Sequence, residues 1–171
     1  RMIKLSENIS YAHTSICLND KFEVFYSFGR KSKYNFLKCG FVIENVTERY
    51  LKWYPNSRIR ILEIPVTTKQ YQTIEQKIQY FVEHIETFRY NLRGILLIKT
   101  SKRKTNPYHL FCSQFVNYIL KESGIHLIET APEYTTPKMF YQLDYPIIYE
   151  GNVQKFSSAI KQVKRVNFCY E

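Results

Sequence analysis

Between Thr67 and Phe88 the apolar residues Tyr71, Ile74, Ile78, Phe81, Val82, Ile85 and Phe88 recur three or four positions apart, the spacing that lines one face of a helix. Thr67 and Gln70 at the start of this run match a capping box, in which each side chain satisfies a free amide of the first turn. The pattern predicts a helix that covers other structure with its apolar stripe. Strand patterns dominate before it. "YAHTSICL" (11–18) and "FEVFYSF" (22–28) flank "NDK", which predicts a hairpin with a three-residue loop, Leu18 opposite Phe22 and paired numbers summing to 40. In that register Ala12, Thr14, Ile16 and Leu18 face Phe28, Tyr26, Val24 and Phe22 on one apolar side, and His13 stands opposite Ser27 on the other. "GFVIENV" (40–46) and "RIRILEIPV" (58–66) supply two more strands.

After "RYNLRGILLI", a short buried helix or strand, and the basic loop "KTSKRKTNP" (99–107), a second amphipathic helix is expected over "HLFCSQFVNYILKESGI", with Gly124 as its stop. At 100° per residue, Cys112, Phe115, Val116 and Ile119 share one face, so the thiol points where the helix packs. The remainder is expected as loop and short strand, with Pro132 and Pro137 breaking any helix.

A cysteine in the first turn of a helix admits two readings. As a core residue it is an inert small hydrophobe, since free cysteine is among the most buried residue types. As a nucleophile it gains from the partial positive charge and free amides of the helix N-terminus, which stabilise a thiolate. His109, three residues upstream, and His13, on the first strand, are the candidate bases; His84 and His126 read as ordinary surface residues. A strand gives His13 the more rigid platform.

Composition narrows the field. With 171 residues and 44% hydrophobic side chains the chain can bury a core, and its length suits a single domain over residues 1–171. It contains no apolar run of about 18 residues, and "RMIKLSENIS" lacks the apolar stretch of a secretory signal. With Met2 as the native start, a cytoplasmic protein is expected, unless an upstream leader has been removed. Cys17, Cys39, Cys112 and Cys169 form no C-x-x-C pair, so neither a zinc site nor a disulfide framework is indicated, and with five glycines no phosphate-binding loop or cofactor motif stands out. Twenty-five basic against fifteen acidic residues give a net charge of +10, which favours anionic surfaces such as cell-wall polymers or lipid headgroups. The basic run at 99–107 ends in the turn signal Asn-Pro without interleaved aromatics, which argues against a nucleic-acid interface.

Taken in order, "YAHTSICLNDKFEVFYSFGRK", "CGFVIENV", "RYNLRGILL", "HLFCSQFVNYILKESGI" and "TTPKMFYQL" resemble the circularly permuted branch of the NlpC/p60 papain-like superfamily, the YiiX-like and YycO-like group of amidases. The resemblance runs from about Tyr11 to Leu143, and its most specific element is Phe-Cys-Ser-x-Phe-Val at 111–116. It implies an α+β, permuted papain-like fold in which an antiparallel sheet or small barrel packs against the helix bearing the cysteine. It implies thiol acyl transfer with Cys112 as nucleophile and His13 as its base, on a peptide or an acyl amide or ester, without cofactor or metal. The backbone N–H of Cys112 is one expected oxyanion donor, with a second not placed. Related enzymes place a polar residue next to the histidine. The hairpin register offers Ser27 for that position, with Glu44 and Glu23 as alternatives. Competing expectations are a lipid acyltransferase or phospholipase with the same pair, and a binding module of the same fold without turnover.

Overall fold

The structure, a computed structural model, describes residues 12–35, 37–91, 106–156 and 158–159. Strands β1 (Phe25–Arg30), β2 (Cys39–Glu44), β4 (Arg89–Tyr90) and β5 (His109–Leu110) form one sheet in the order β1-β2-β4-β5. β3 (Arg58–Leu62) and β6 (Ile147–Asn152) form a second, two-stranded sheet. Helix α2 (Thr68–Glu83) and the cysteine helix α3 (Cys112–Glu122) pack on the first sheet, and a short α1 (Leu51–Trp53) and α4 (Pro137–Tyr141) complete the α+β arrangement. Neither sheet closes into a barrel, and the larger one is not purely antiparallel, because β4 and β5 run parallel. Among the described residues no helix is long and apolar enough to cross a membrane.

The core forms where the 2.0 and 3.6 periods meet. Phe28 and Phe41 oppose each other across β1 and β2, and their rings touch Phe81 of α2 and Phe115 of α3 at centroid distances of 5.1 to 6.0 Å, counting the Phe81–Phe115 contact. Edge-on aromatic contacts of this kind add to the burial term, and each ring removes a large apolar area from water. The covering helix is as expected: the Thr67–Gln70 capping box forms and Ile74, Ile78 and Phe81 are buried. It stops at Glu83, so Ile85 and Phe88 lie beyond it, yet Phe88 still stacks on Phe81 at 4.2 Å. Gly40 lets β4 approach, since a Cβ there would stand 2.5 Å from the Phe88 carbonyl oxygen.

The first hairpin departs from its predicted register. Ile16 bridges Tyr26, which makes the sum 42 rather than 40. The cause is Asn19, whose side-chain oxygen accepts the Lys21 and Phe22 amides and winds the connection into a wider turn, with Phe22 at φ 51°. Leu18 gives its carbonyl to the Tyr71 hydroxyl instead of pairing with Phe22.

α3 is buried on almost every side. Cys112, Phe115, Val116 and Ile119 face the core as the spacing requires, but Ser113, Gln114 and Asn117 are buried too. Ser113 Oγ donates to the Thr135 carbonyl at 2.7 Å, and Asn117 Nδ2 donates to Thr130 O and Thr135 Oγ1, so the 130–135 segment takes up the helix's polar flank. Gly124 ends the helix at φ 72°, with Ile125 N–H to Leu120 O and Gly124 N–H to Lys121 O, the paired bonds of a Schellman stop. Pro132 and Pro137 begin helical turns rather than breaking them, because each stands in the first turn of its segment, where the missing N–H costs nothing. The expectations for 92–105 and for Cys169 fall outside the described residues.

Candidate functional site

β5 delivers the chain through Phe111, in extended conformation, straight into α3, so Cys112 is the first residue of the helix. Its side chain is 2% exposed. His13 arrives from the extended segment that bridges β1, and its imidazole stands close enough to the Cys112 sulfur for each to favour the other's charged form. The His13 side chain is 30% exposed, so solvent reaches the pair from the histidine side.

The other partner of His13 is Glu44, at the end of β2. His13 Nε2 lies 2.9 Å from Glu44 Oε2, and the carboxylate is 2% exposed. Gly29 of β1 lies beneath the pair, where a Cβ would stand 3.5 Å from Glu44 Oε1 and 3.6 Å from His13 Cε1. The expected partner, Ser27, is fully buried but donates its hydroxyl to the Thr14 carbonyl at 2.6 Å. It therefore fixes the backbone beside His13 and does not orient the ring. The two-residue shift in register explains the exchange: with a sum of 42, His13 comes level with Gly29, and the vacant Cβ position lets the imidazole meet Glu44. Glu23 takes no part in these contacts.

The electrostatics follow from this chain of contacts. Burial opposes the charge on His13, but Glu44 and the Cys112 sulfur outweigh it and hold the imidazole well above its ordinary value. Burial likewise disfavours the Cys112 thiolate. The His13 hydrogen bond and charge, with the backbone N–H groups of Thr14 and Ser113, reverse that and lower the thiol's pKa. Glu44 is also lowered, since His13, Arg49 and the Tyr50 hydroxyl together exceed its desolvation. Cys17 and Cys39 go the other way, both raised mainly by burial. Cys112 is thus the described cysteine whose surroundings favour the thiolate.

Three further groups act on the Cys112 sulfur besides His13. The N–H groups of Ser113 and Thr14, from different segments, favour the thiolate, and the Tyr90 hydroxyl on β4 stands within reach of its charge. Burial and then the Cys112 charge keep that phenol protonated, well above the ordinary tyrosine value. Nothing in the sequence spacing singled out Thr14 or Tyr90 as neighbours of the thiol. His109 lies on β5 with an exposed side chain, and no metal-holding group of His, Cys, Asp or Glu occurs among the described residues. No known family model, curated protein or solved structure matches the chain.

Proposed function

We propose that the chain is a cysteine-dependent amidase or peptidase of the permuted papain-like type. One observation carries this reading: a histidine that bridges a buried cysteine at a helix N-terminus and a buried glutamate, each with its pKa displaced toward the charged form. A core cysteine needs neither partner. The order of the segments, histidine strand before cysteine helix, agrees with the resemblance drawn from the sequence.

In this reading Cys112 Sγ attacks the carbonyl carbon of an amide, and the carbonyl π electrons move to the oxygen. The backbone N–H of Cys112 is one donor to that oxyanion, and the amides of Thr14 and Ser113, which already favour the thiolate, are the candidates for the second. His13 passes its proton to the leaving amine, the C–N bond breaks, and a thioester remains on Cys112. Water, deprotonated by His13, then releases the acid and restores the thiol. Glu44 stabilises the imidazolium and fixes the ring so that Nδ1 is left to serve the sulfur, because Nε2 is engaged by the carboxylate. The net charge of +10 suits substrates carried on anionic cell-wall polymers or lipid surfaces.

A panel of peptide amides and acyl esters, read by product release and by intact mass of the protein, tests this proposal. Amide turnover with an acyl adduct on Cys112, lost in Cys112→Ala and reduced at least a hundredfold in His13→Ala, is the expected result. Ester cleavage without any amide cleavage would move the assignment to lipid acyl chemistry. Turnover that survives Cys112→Ala would refute the thiol mechanism.

A further inference from the structure

Glu44 has more partners than the orientation of one histidine requires. Oε2 accepts both from His13 Nε2, at 2.9 Å, and from the Tyr50 hydroxyl, at 2.8 Å. Oε1 faces Arg49 Nε at 3.3 Å. Both extra partners come from a π-helical turn, Val46–Tyr50, that follows β2 almost at once. Such wide turns are rare and often mark functional sites, and here the turn folds residues 49 and 50 back onto residue 44 of the preceding strand. Arg49 is itself held: its guanidinium lies 4.5 Å over the Trp53 ring and donates to the Arg30 carbonyl, and only 16% of its side chain is exposed. Such stacking suits a guanidinium better than an ammonium.

We infer that Arg49 is the fourth charge of the catalytic site, a positioning residue that neutralises Glu44 so that thiolate, imidazolium, carboxylate and guanidinium sum to zero inside the protein. The inference rests on the catalytic reading above. Without Arg49 the three remaining charges leave one negative charge with little water around it, and such a charge is expensive to bury. The group relieves it by taking up a proton, on Glu44 or on the sulfur. A proton on the sulfur removes the thiolate directly, and one on Glu44 takes away the charge that holds His13 protonated beside it, so in both cases the thiolate–imidazolium pair is weakened. The groups facing Glu44 are His13, Tyr50 and Arg49. Beyond them stand Cys112 and Tyr90 on the histidine side, and Arg30 and Cys39 on the arginine side, where both arginines act on the Cys39 thiol. Tyr50 has a different part: it donates one neutral hydrogen bond and carries no charge, since burial and the Glu44 carboxylate keep it protonated.

The test is the pH dependence of Cys112 alkylation by iodoacetamide, followed by mass spectrometry on the full chain, for the native protein, Arg49→Met, Arg49→Lys and Tyr50→Phe. Melting temperatures are recorded alongside. Arg49→Met is expected to slow labelling about tenfold on the acid limb, corresponding to a midpoint about one pH unit higher. Arg49→Lys, which keeps the charge, should retain most of the native profile, and Tyr50→Phe should shift it less than Arg49→Met. A native profile in Arg49→Met would overturn the inference, and so would equal shifts in the Met and Lys variants, which mark a packing role. If Arg49→Met fails to fold, Arg49→Gln takes its place beside Arg49→Lys: a raised midpoint in the Gln variant alone supports the charge role, and equal midpoints in the two defeat it. A native chain whose Cys112 labels like an ordinary thiol contradicts the catalytic reading itself, and that shows before any variant is made.

Discussion

At the scale of single residues, the site divides its labour between charge and placement. Glu44 is buried, ionised and in contact with His13, so Glu44→Gln keeps the shape and removes the charge that holds the imidazole protonated. It is expected to lower kcat/KM by about tenfold to a thousandfold, the range of a charged hydrogen bond worth about 1.5–3 kcal/mol or somewhat more. Ser27→Ala removes only a bond to the Thr14 carbonyl, and its loss should be smaller than that of either Glu44→Gln or His13→Ala. Comparing kcat/KM for the three variants checks this order, and a Ser27→Ala loss equal to that of His13→Ala would contradict it. Spacing could mark Cys112 at a helix start and His13 on an extended segment only as candidates, and it was the resemblance that paired them. Glu44 was visible only as an alternative to Ser27. Choosing between them required the register, and one asparagine side chain, Asn19, changed that by two residues.

The elements show where periodicity suffices and where it fails. α2 was readable at its start and in its buried stripe through Phe81, because the cap lies in the sequence and a single face meets the core, but its end was not, since Ile85 and Phe88 continue the spacing beyond Glu83. α3 was readable on its apolar face only: its polar flank looks like a solvated surface until the 130–135 segment closes over Ser113 and Asn117. Pro132 and Pro137 looked like breaks because proline is excluded from helix interiors, whereas both occupy the first turn. Two element-level changes are expected to cost stability. Gly124→Ala forces a side chain into left-handed backbone and should destabilise by about 1–2 kcal/mol, although nothing lies within 4 Å of the new Cβ. Phe115→Ala empties the center of the aromatic cluster and should cost about 3–5 kcal/mol. Urea denaturation of both variants measures these costs, and a Gly124→Ala variant as stable as the native chain would mean that the Schellman stop is dispensable.

For the whole molecule, the buried charges tie stability to pH. Glu44 has a lowered pKa in the fold, so its contribution is complete above the unfolded value of about 4.3 and is lost as pH falls through the lowered one. His13 has a raised pKa, so its contribution is complete below about 6.5, the unfolded value, and is lost as pH rises through the raised one. Melting temperature followed from acid to alkaline pH should therefore fall at both ends, and Glu44→Gln should flatten the acid side while lowering the plateau. An acid side unchanged by Glu44→Gln would show that other carboxylates govern it. The α+β class was expected from the resemblance, and the strand and helix periods read from spacing agree with it. The separate two-stranded sheet was not, because β3 and β6 pair residues from 85 positions apart, at Leu62 and Ile147, to 94 apart, at Arg58 and Asn152, and such pairing is a long-range event.

The thiolate at Cys112 is the center of the functional reading, and the most direct measurement is its iodoacetamide labelling rate against pH, in the native chain and in His13→Ala. The expected result is fast labelling of Cys112 well below about 8.5, the ordinary thiol value, with Cys17 and Cys39 lagging, and loss of that advantage in the variant. Labelling of Cys112 that waits for unfolding, or that is the same with and without His13, would contradict it.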